Sequence, residues 1–351
     1  MAEYQALMRL APAVKEQIVP LIRIPAVEFD FDRRQPKKTV HEHVVPFIER
    51  FHRKWGERPA WISLSEEIAA GRMDSGQHVL SYIFEGLRHY NASAIPAIPL
   101  RTDAGINTAT HRIINLDQHG VGFMIQLEDL MAGNTADRMD ELAKVIAVSK
   151  PEVDLIIDLR APNFEPYFIF ATALMSAIQK LGDLSDFRNL IILSTAIPES
   201  FRDVARGTDH LPRHDWLFFQ TLLNIWPTGM PHPIYGDYTT VHPNFVARDL
   251  RLVKPAGKVI YTTSKTWGTR KGSAFRGNEA QMHDHCREIV NDAVFQFQGA
   301  AFSFGDDYIA KCATNQKGSS NLTRWKDVSI NHHITMVTND LAKLAASSSR
   351  F

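Results

Sequence analysis

At 351 residues, 44% of them hydrophobic and 22% charged, the chain is long enough to bury a sizeable core and has an ordinary globular composition. Basic and acidic residues balance at 39 each, which removes any global field for nucleic acid or an anionic membrane surface. No apolar run approaches the roughly 20 residues of a membrane span, Met1–Leu10 lacks a signal-peptide core, and two cysteines, Cys286 and Cys312, give no disulfide framework and suit a reducing cytoplasm.

Short apolar runs alternate with longer amphipathic stretches. Ile18–Ile24 reads as a first strand, followed by a helix over Val40–Trp55. Pro59–Ser65 is a second strand, with a helix from about Gly76 to Tyr90. Ala94–Arg101 is a third despite its two prolines. Val121–Glu128 is the fourth, with a helix over Ala136–Ser149 behind it. Val153–Arg160 is the fifth, and a helix from about Glu165 to Leu181 follows. Asn189–Thr195 is the sixth, a helical region spans Glu199–Asn224, and Pro233–Val241 is the seventh. Lys258–Ser264 is the eighth, followed by a helix from about Asn278 to Gln296.

Eight strands separated by helices, with no hairpin signal between them, predict a parallel sheet of βα units. Eight is the number that closes a (β/α)₈ TIM-like barrel. The alternative is an open doubly wound parallel α/β sheet, which calls for a Gly-rich phosphate turn after an early strand, and no G-x-G-x-x-G follows the first. The chain reads as a single barrel domain over residues 1–351, with a C-terminal extension from about 297 to 351 on or near the barrel mouth.

The fifth strand, VDLIIDLR, alternates strictly. Val153, Leu155, Ile157 and Leu159 form one face; Asp154, Asp158 and Arg160 lie on the other. Carried to the other strands, the same parity turns Arg23, Ser63, Ser65, Arg101, Gln126, Glu128, Asp158, Arg160, Ser194, Asp237, Tyr261 and Lys265 inward. Most stand near the C-terminal ends of their strands, where barrel active sites sit. Strand-end polarity and structural ion pairs produce the same pattern, but desolvating each ion costs several kcal/mol, which favours a site.

In the C-terminal third, Tyr261–Arg276 reads as a basic, hydroxyl-bearing loop with Lys265, Arg270, Lys271 and Arg276, a candidate phosphate cradle. FSFGDDYI, from Phe302 to Ile309, echoes Gly236-Asp237-Tyr238, and such Gly-Asp turns can hold a carboxylate for metal or base work. Of 15 histidines none has a sharp ligand spacing, although His332 and His333 are acid–base candidates. No zinc, Walker or serine-hydrolase motif is present, so the cofactor stays unknown and a divalent metal stays open.

AEYQALMRL, IVPLIRIP, GDYT, VIYTT, W-x-x-R-K-G, FSFGDDYI and NHHIT, taken as an ordered set, resemble the phage "beta protein" family. The resemblance covers nearly the whole chain, from Glu3 to His333, and implies about this length and an occurrence in T4-like phages and bacterial genomes. The family pattern has an acidic residue after the first-strand P-L-I, where this chain has Arg23. The resemblance implies no reaction; Asp237, Tyr238, Arg270, Gly305, Asp306, His332 and His333 fall in its motifs.

The expected function is binding or hydrolysis of a phosphate-bearing small molecule or nucleotide, in the setting of phage–host conflict. Glu128, Asp158, Asp237 and Asp306 are the candidate catalytic groups. Arg101, Gln126, Arg160, Tyr238, Tyr261, Lys265, Arg270, Arg276, His332 and His333 are the candidate ligand-binding groups. The alternative is a non-catalytic protein-interaction component of a phage or antiviral defence system. Direct nucleic-acid recognition is disfavoured by the charge balance.

Overall fold

The computed structural model describes residues 2–244 and 254–348. Ten strands of four or more residues follow in chain order: β1 (Leu21–Ile24), β2 (Ala60–Leu64), β3 (Ala94–Pro99), β4 (Val121–Gln126), β5 (Val153–Arg160), β6 (Asn189–Ser194), β7 (Gly207–Pro212), β8 (Ile234–Asp237), β9 (Ala256–Thr262) and β10 (Thr266–Ala274). They divide between two compact units where the sequence predicts one barrel domain. One unit comprises Val19–Ser194 and Leu217–Asp237; the other comprises Met1–Ile18, Thr195–Trp216 and Tyr238–Phe351.

The first unit is a seven-stranded, curled parallel sheet in the order β1-β2-β3-β4-β5-β6-β8, flanked by helices. Each strand lies beside its predecessor, so the sheet winds in one direction with no reversal. That order overturns the doubly wound alternative, which needs a switch point. Among the described residues an eight-stranded closure is not formed either. The expected eighth strand belongs to the other unit, and no ladder among the described residues joins β1 to β8.

Local chemistry sets the helix starts. Helix Val40–Lys54 opens with a capping box, in which Glu42 N–H donates to Thr39 Oγ1 and Thr39 N–H donates to Glu42 Oε2. Its apolar stripe, Val44, Phe47, Ile48 and Phe51, is buried. Helix Ala104–Asp117 starts at Asp103, whose Oδ1 accepts from Ile106 N–H at 2.8 Å. In β5, Val153 through Leu159 are all buried, so both faces are covered, as a parallel sheet requires.

The second unit holds a three-stranded antiparallel sheet, in the order β9-β10-β7, and helices Gln281–Asn291, Phe304–Ala313 and Leu322–Ser348. Two expectations are corrected here. β7 falls inside the region predicted as wholly helical. Tyr261–Arg276 is mostly a hairpin and not a loop. Helices Phe304–Ala313 and Leu322–Ser348 lie in this unit. Val259, Tyr261, Met282, Cys286, Ile309, Trp325 and Val328 share one buried cluster. The hairpin turn is built by threonines: Thr263 N–H donates to Thr266 O at 2.8 Å, and Thr266 N–H donates to Thr263 Oγ1 at 3.1 Å. Gly305 lets its helix approach the last one closely; a Cβ there would stand 2.4 Å from Val328 O.

Candidate functional site

The ladder register fixes which side chains of the parallel sheet share a face. Arg23 pairs with Ser63, and Gln126 pairs with Asp158. Side-by-side partners in a parallel ladder point the same way, so Arg23 shares a face with Ser63 and Gln126 shares one with Asp158. At the N-terminal end of that face the polar groups satisfy one another. Asp154 accepts from Trp61 Nε1 at 2.8 Å, from Arg188 Nε at 2.7 Å and Nη2 at 2.6 Å, and from Asn189 Nδ2 at 2.8 Å. Asp154 is buried, and its hydrogen bonds push the Arg188 guanidinium above its ordinary range. This end is an anchor.

The C-terminal end differs. β4 stops at Gln126, whose N–H is held by Asp129 Oδ2 at 3.2 Å, so Glu128 lies exposed in the first turn of helix Leu127–Met131 and not on the strand. β3 stops at Pro99, which leaves Arg101 exposed in the turn beyond it. β5 bulges between Asp158 and Arg160, and Arg160 adopts a left-handed φ of 57°. The buried Asp158 carboxylate fixes that turn by accepting from Arg160 N–H at 3.0 Å. Past the bulge, Arg160 pairs with Ser194 and Ser194 with Asp237. Ser63 and Ser65 are buried at 3% and 9% exposure, and neither hydroxyl has a hydrogen-bond partner. Arg23 is exposed with Arg101 at this end.

The remaining predicted residues belong to the other unit. Tyr261, Asp306 and His332 come together there. Tyr261 donates its hydroxyl to Asp306 Oδ1 at 2.7 Å and accepts from Gln298 N–H at 2.9 Å. Ser303 donates to Asp306 Oδ2 at 2.5 Å, and its own oxygen accepts from Asp306 N–H. His332 places Nδ1 2.8 Å from Asp306 Oδ2 and Nε2 2.8 Å from Thr262 O, and its ring stacks on Tyr261 with centroids 3.9 Å apart. A carbonyl only accepts, so Nε2 carries hydrogen. Asp306 thus gathers Tyr261, Ser303 and the His332 ring on its two oxygens. Both side chains are fully buried. Burial, then the Asp306 charge, raises the Tyr261 phenol well above its ordinary range and keeps it a donor.

Neighbouring residues are similarly engaged. His333 Nδ1 lies 2.9 Å from Thr262 Oγ1. Arg270 donates to Thr208 Oγ1, and Lys271 donates to the carbonyls of Phe201, Arg202 and Val204. Lys265 and Arg276 are exposed, and Tyr238 is half-buried. The expected phosphate cradle is therefore a strand whose Lys271 amine is already taken. Sequence reasoning missed Ser303, Thr262 and Asn331, which accepts from Gly305 N–H. The S-x-x-D spacing of Ser303 and Asp306 is a capping signal that points to the first of them. Among the described residues no group of three or more His, Cys, Asp or Glu is placed to hold a metal ion, and no helix is long and apolar enough to cross a membrane.

The family model described as Beta protein matches residues 1–339. The chain belongs to that family. The match takes in the motifs that build both the sheet ends and the Asp306–His332 pair. Comparison with curated proteins finds no match.

Proposed function

We propose that this Beta protein family member binds a phosphate-bearing small molecule or nucleotide at the C-terminal end of its parallel sheet. The observation that carries the reading is the pair of buried, unpartnered hydroxyls, Ser63 and Ser65, at the strand end that also presents Arg23 and Arg101. A buried polar group without a partner costs about 1–3 kcal/mol, which a ligand oxygen would relieve. Arginines supply the charge and the paired donors that phosphate oxygens accept. Gln126 shares the face, Asp158 shapes the Arg160 turn, and exposed Glu128 is the carboxylate available as a base if the ligand is hydrolysed. Tyr261, Asp306 and His332 hold the other unit together in this reading.

The test is a set of titrations with inorganic phosphate, pyrophosphate and a nucleoside triphosphate, followed by assay for phosphate release. Binding with release that Glu128→Gln abolishes supports hydrolysis; binding that persists without release supports a binding protein. Failure of every phosphate compound to bind rejects the reading.

A second reading, a non-catalytic interaction component of a phage or anti-phage system, is favoured by one observation. Met131, Phe168 and Ile169 are 72%, 62% and 65% exposed on two helices that touch each other. Replacing Phe168 and Ile169 by serine would then abolish partner capture and leave phosphate binding unchanged.

A further inference from the structure

The connection that leaves β1 builds a small antiparallel hairpin before helix Val40–Lys54 begins. Phe29 pairs with Pro36, and Asp30 pairs with Gln35. Local bonds shape it. Asp30 Oδ1 accepts from Asp32 N–H at 2.9 Å and from Arg33 N–H at 3.0 Å. Lys37 N–H donates to Glu28 O at 2.8 Å, and the Lys37 amine meets Glu28 Oε2 at 2.8 Å. At the root, His43 Nε2 of the following helix lies 2.9 Å from Pro25 O. Two large apolar rings nevertheless face water on this hairpin. Phe29 and Phe31 are 39% and 41% exposed, and they meet edge to face with centroids 5.4 Å apart.

The position of the hairpin decides what those rings can meet. β1 runs parallel to β2, and Ser65 N–H donates to Ile24 O at 2.9 Å, so the chain sets out towards the hairpin from beside Ser65. Arg23 stands one residue earlier, paired with Ser63, whose buried hydroxyl has no partner. The chain from Ile24 to Phe29 reaches at most about 18 Å, a length on the scale of an extended nucleotide.

We propose that the ligand at this end of the sheet is a nucleotide, with its phosphates at Arg23, Arg101 and the Ser63 and Ser65 hydroxyls and its base stacked on the Phe29–Phe31 pair. The inference rests on the phosphate reading and narrows it to one substrate class. Every base has a π-face, so the two rings favour a nucleotide over a phosphate compound without a base and do not choose among bases. Arg23 and Arg101 supply the charge that the rings lack.

Calorimetric titration of the full chain with a nucleoside triphosphate and with methyl triphosphate, which carries the same charge and no base, tests this. The wild type is expected to bind the nucleotide more tightly by roughly tenfold or more, the scale of one base–aromatic stack. Phe29→Ala/Phe31→Ala loses that preference while its affinity for methyl triphosphate and its melting temperature stay unchanged. Phe29→Trp/Phe31→Trp, which keeps the stacking faces, retains the preference. Equal affinity of the wild type for both compounds, or a preference that survives the alanine variant, overturns the inference and leaves the phosphate reading standing. Binding of neither compound rejects the two together.

Discussion

Trp61 donates its indole N–H to Asp154 across 93 positions of sequence, at 2.8 Å, on the polar face of the parallel sheet. That bond, with those of Arg188 and Asn189, divides the face into an end whose polar groups are mutually satisfied and an end where two buried hydroxyls are not. Desolvated charges with complete partners stabilise a fold; open ones are available to a ligand.

Asp154→Ala therefore destabilises the protein by about 3 kcal/mol, because the Arg188 guanidinium loses its partner. Trp61→Phe, which removes one hydrogen bond, costs about 1 kcal/mol. Urea unfolding measures both, and neither substitution changes phosphate binding under conditions where the fold persists.

Asp306→Ala strips the Tyr261 hydroxyl, the Ser303 hydroxyl and the His332 ring of their shared partner in a fully buried place, at a cost of about 1–3 kcal/mol for each group left unsatisfied. Tyr261→Phe costs about 1 kcal/mol, and the two losses are not additive, since both act on one carboxylate. A double-mutant cycle by denaturant unfolding reads the coupling.

Lys258 gives a pH-dependent prediction. Its amine lies 3.5 Å over the Phe201 ring, and burial, with Lys326 and Lys271 nearby, lowers it from 10.5 to about 8. The folded state then binds fewer protons than the unfolded chain between pH 8 and 10.5, so stability rises with pH through that window. Below pH 8 the penalty is complete. Lys258→Met raises stability at pH 7 by up to about 3 kcal/mol, and the gain shrinks towards pH 10.5. Thermal melts at stepped pH check the trend.

Gly305→Ala puts a Cβ 2.4 Å from a backbone carbonyl of the facing helix, which cannot yield as a side chain does. Overpacking of this kind costs about 1–3 kcal/mol, measurable by thermal unfolding.

Alternation located β5 at Val153–Arg160 and six companions within a few residues, because a half-polar strand writes period two directly into its sequence. It did not say which sheet a strand joins. Lys258–Ser264 alternates as well as the others, yet it pairs back on Thr266–Ala274 through a turn without Asn-Gly or Asp-Gly. Gly268 reads as loop flexibility but is a strand position packed on Phe295, where a Cβ would come within 2.7 Å of the ring. Strand parity made the shared orientation of Arg23 with Ser63, and of Gln126 with Asp158, legible. Parity did not place Glu128 and Arg101, because helix capping ended β4 at Gln126 and β3 ended at Pro99, so both lie beyond their strands. The Asp306–His332 pair depends on contacts 26 residues apart that no local pattern encodes.

The central claim is tested most directly by calorimetric titration of a nucleoside triphosphate into the wild-type chain and the Arg23→Ala/Arg101→Ala variant. The account predicts salt-sensitive binding to the wild type that the variant weakens at least tenfold, about 1.4 kcal/mol, with the melting temperature unchanged. Equal affinity in both proteins, or no binding to the wild type, would contradict it.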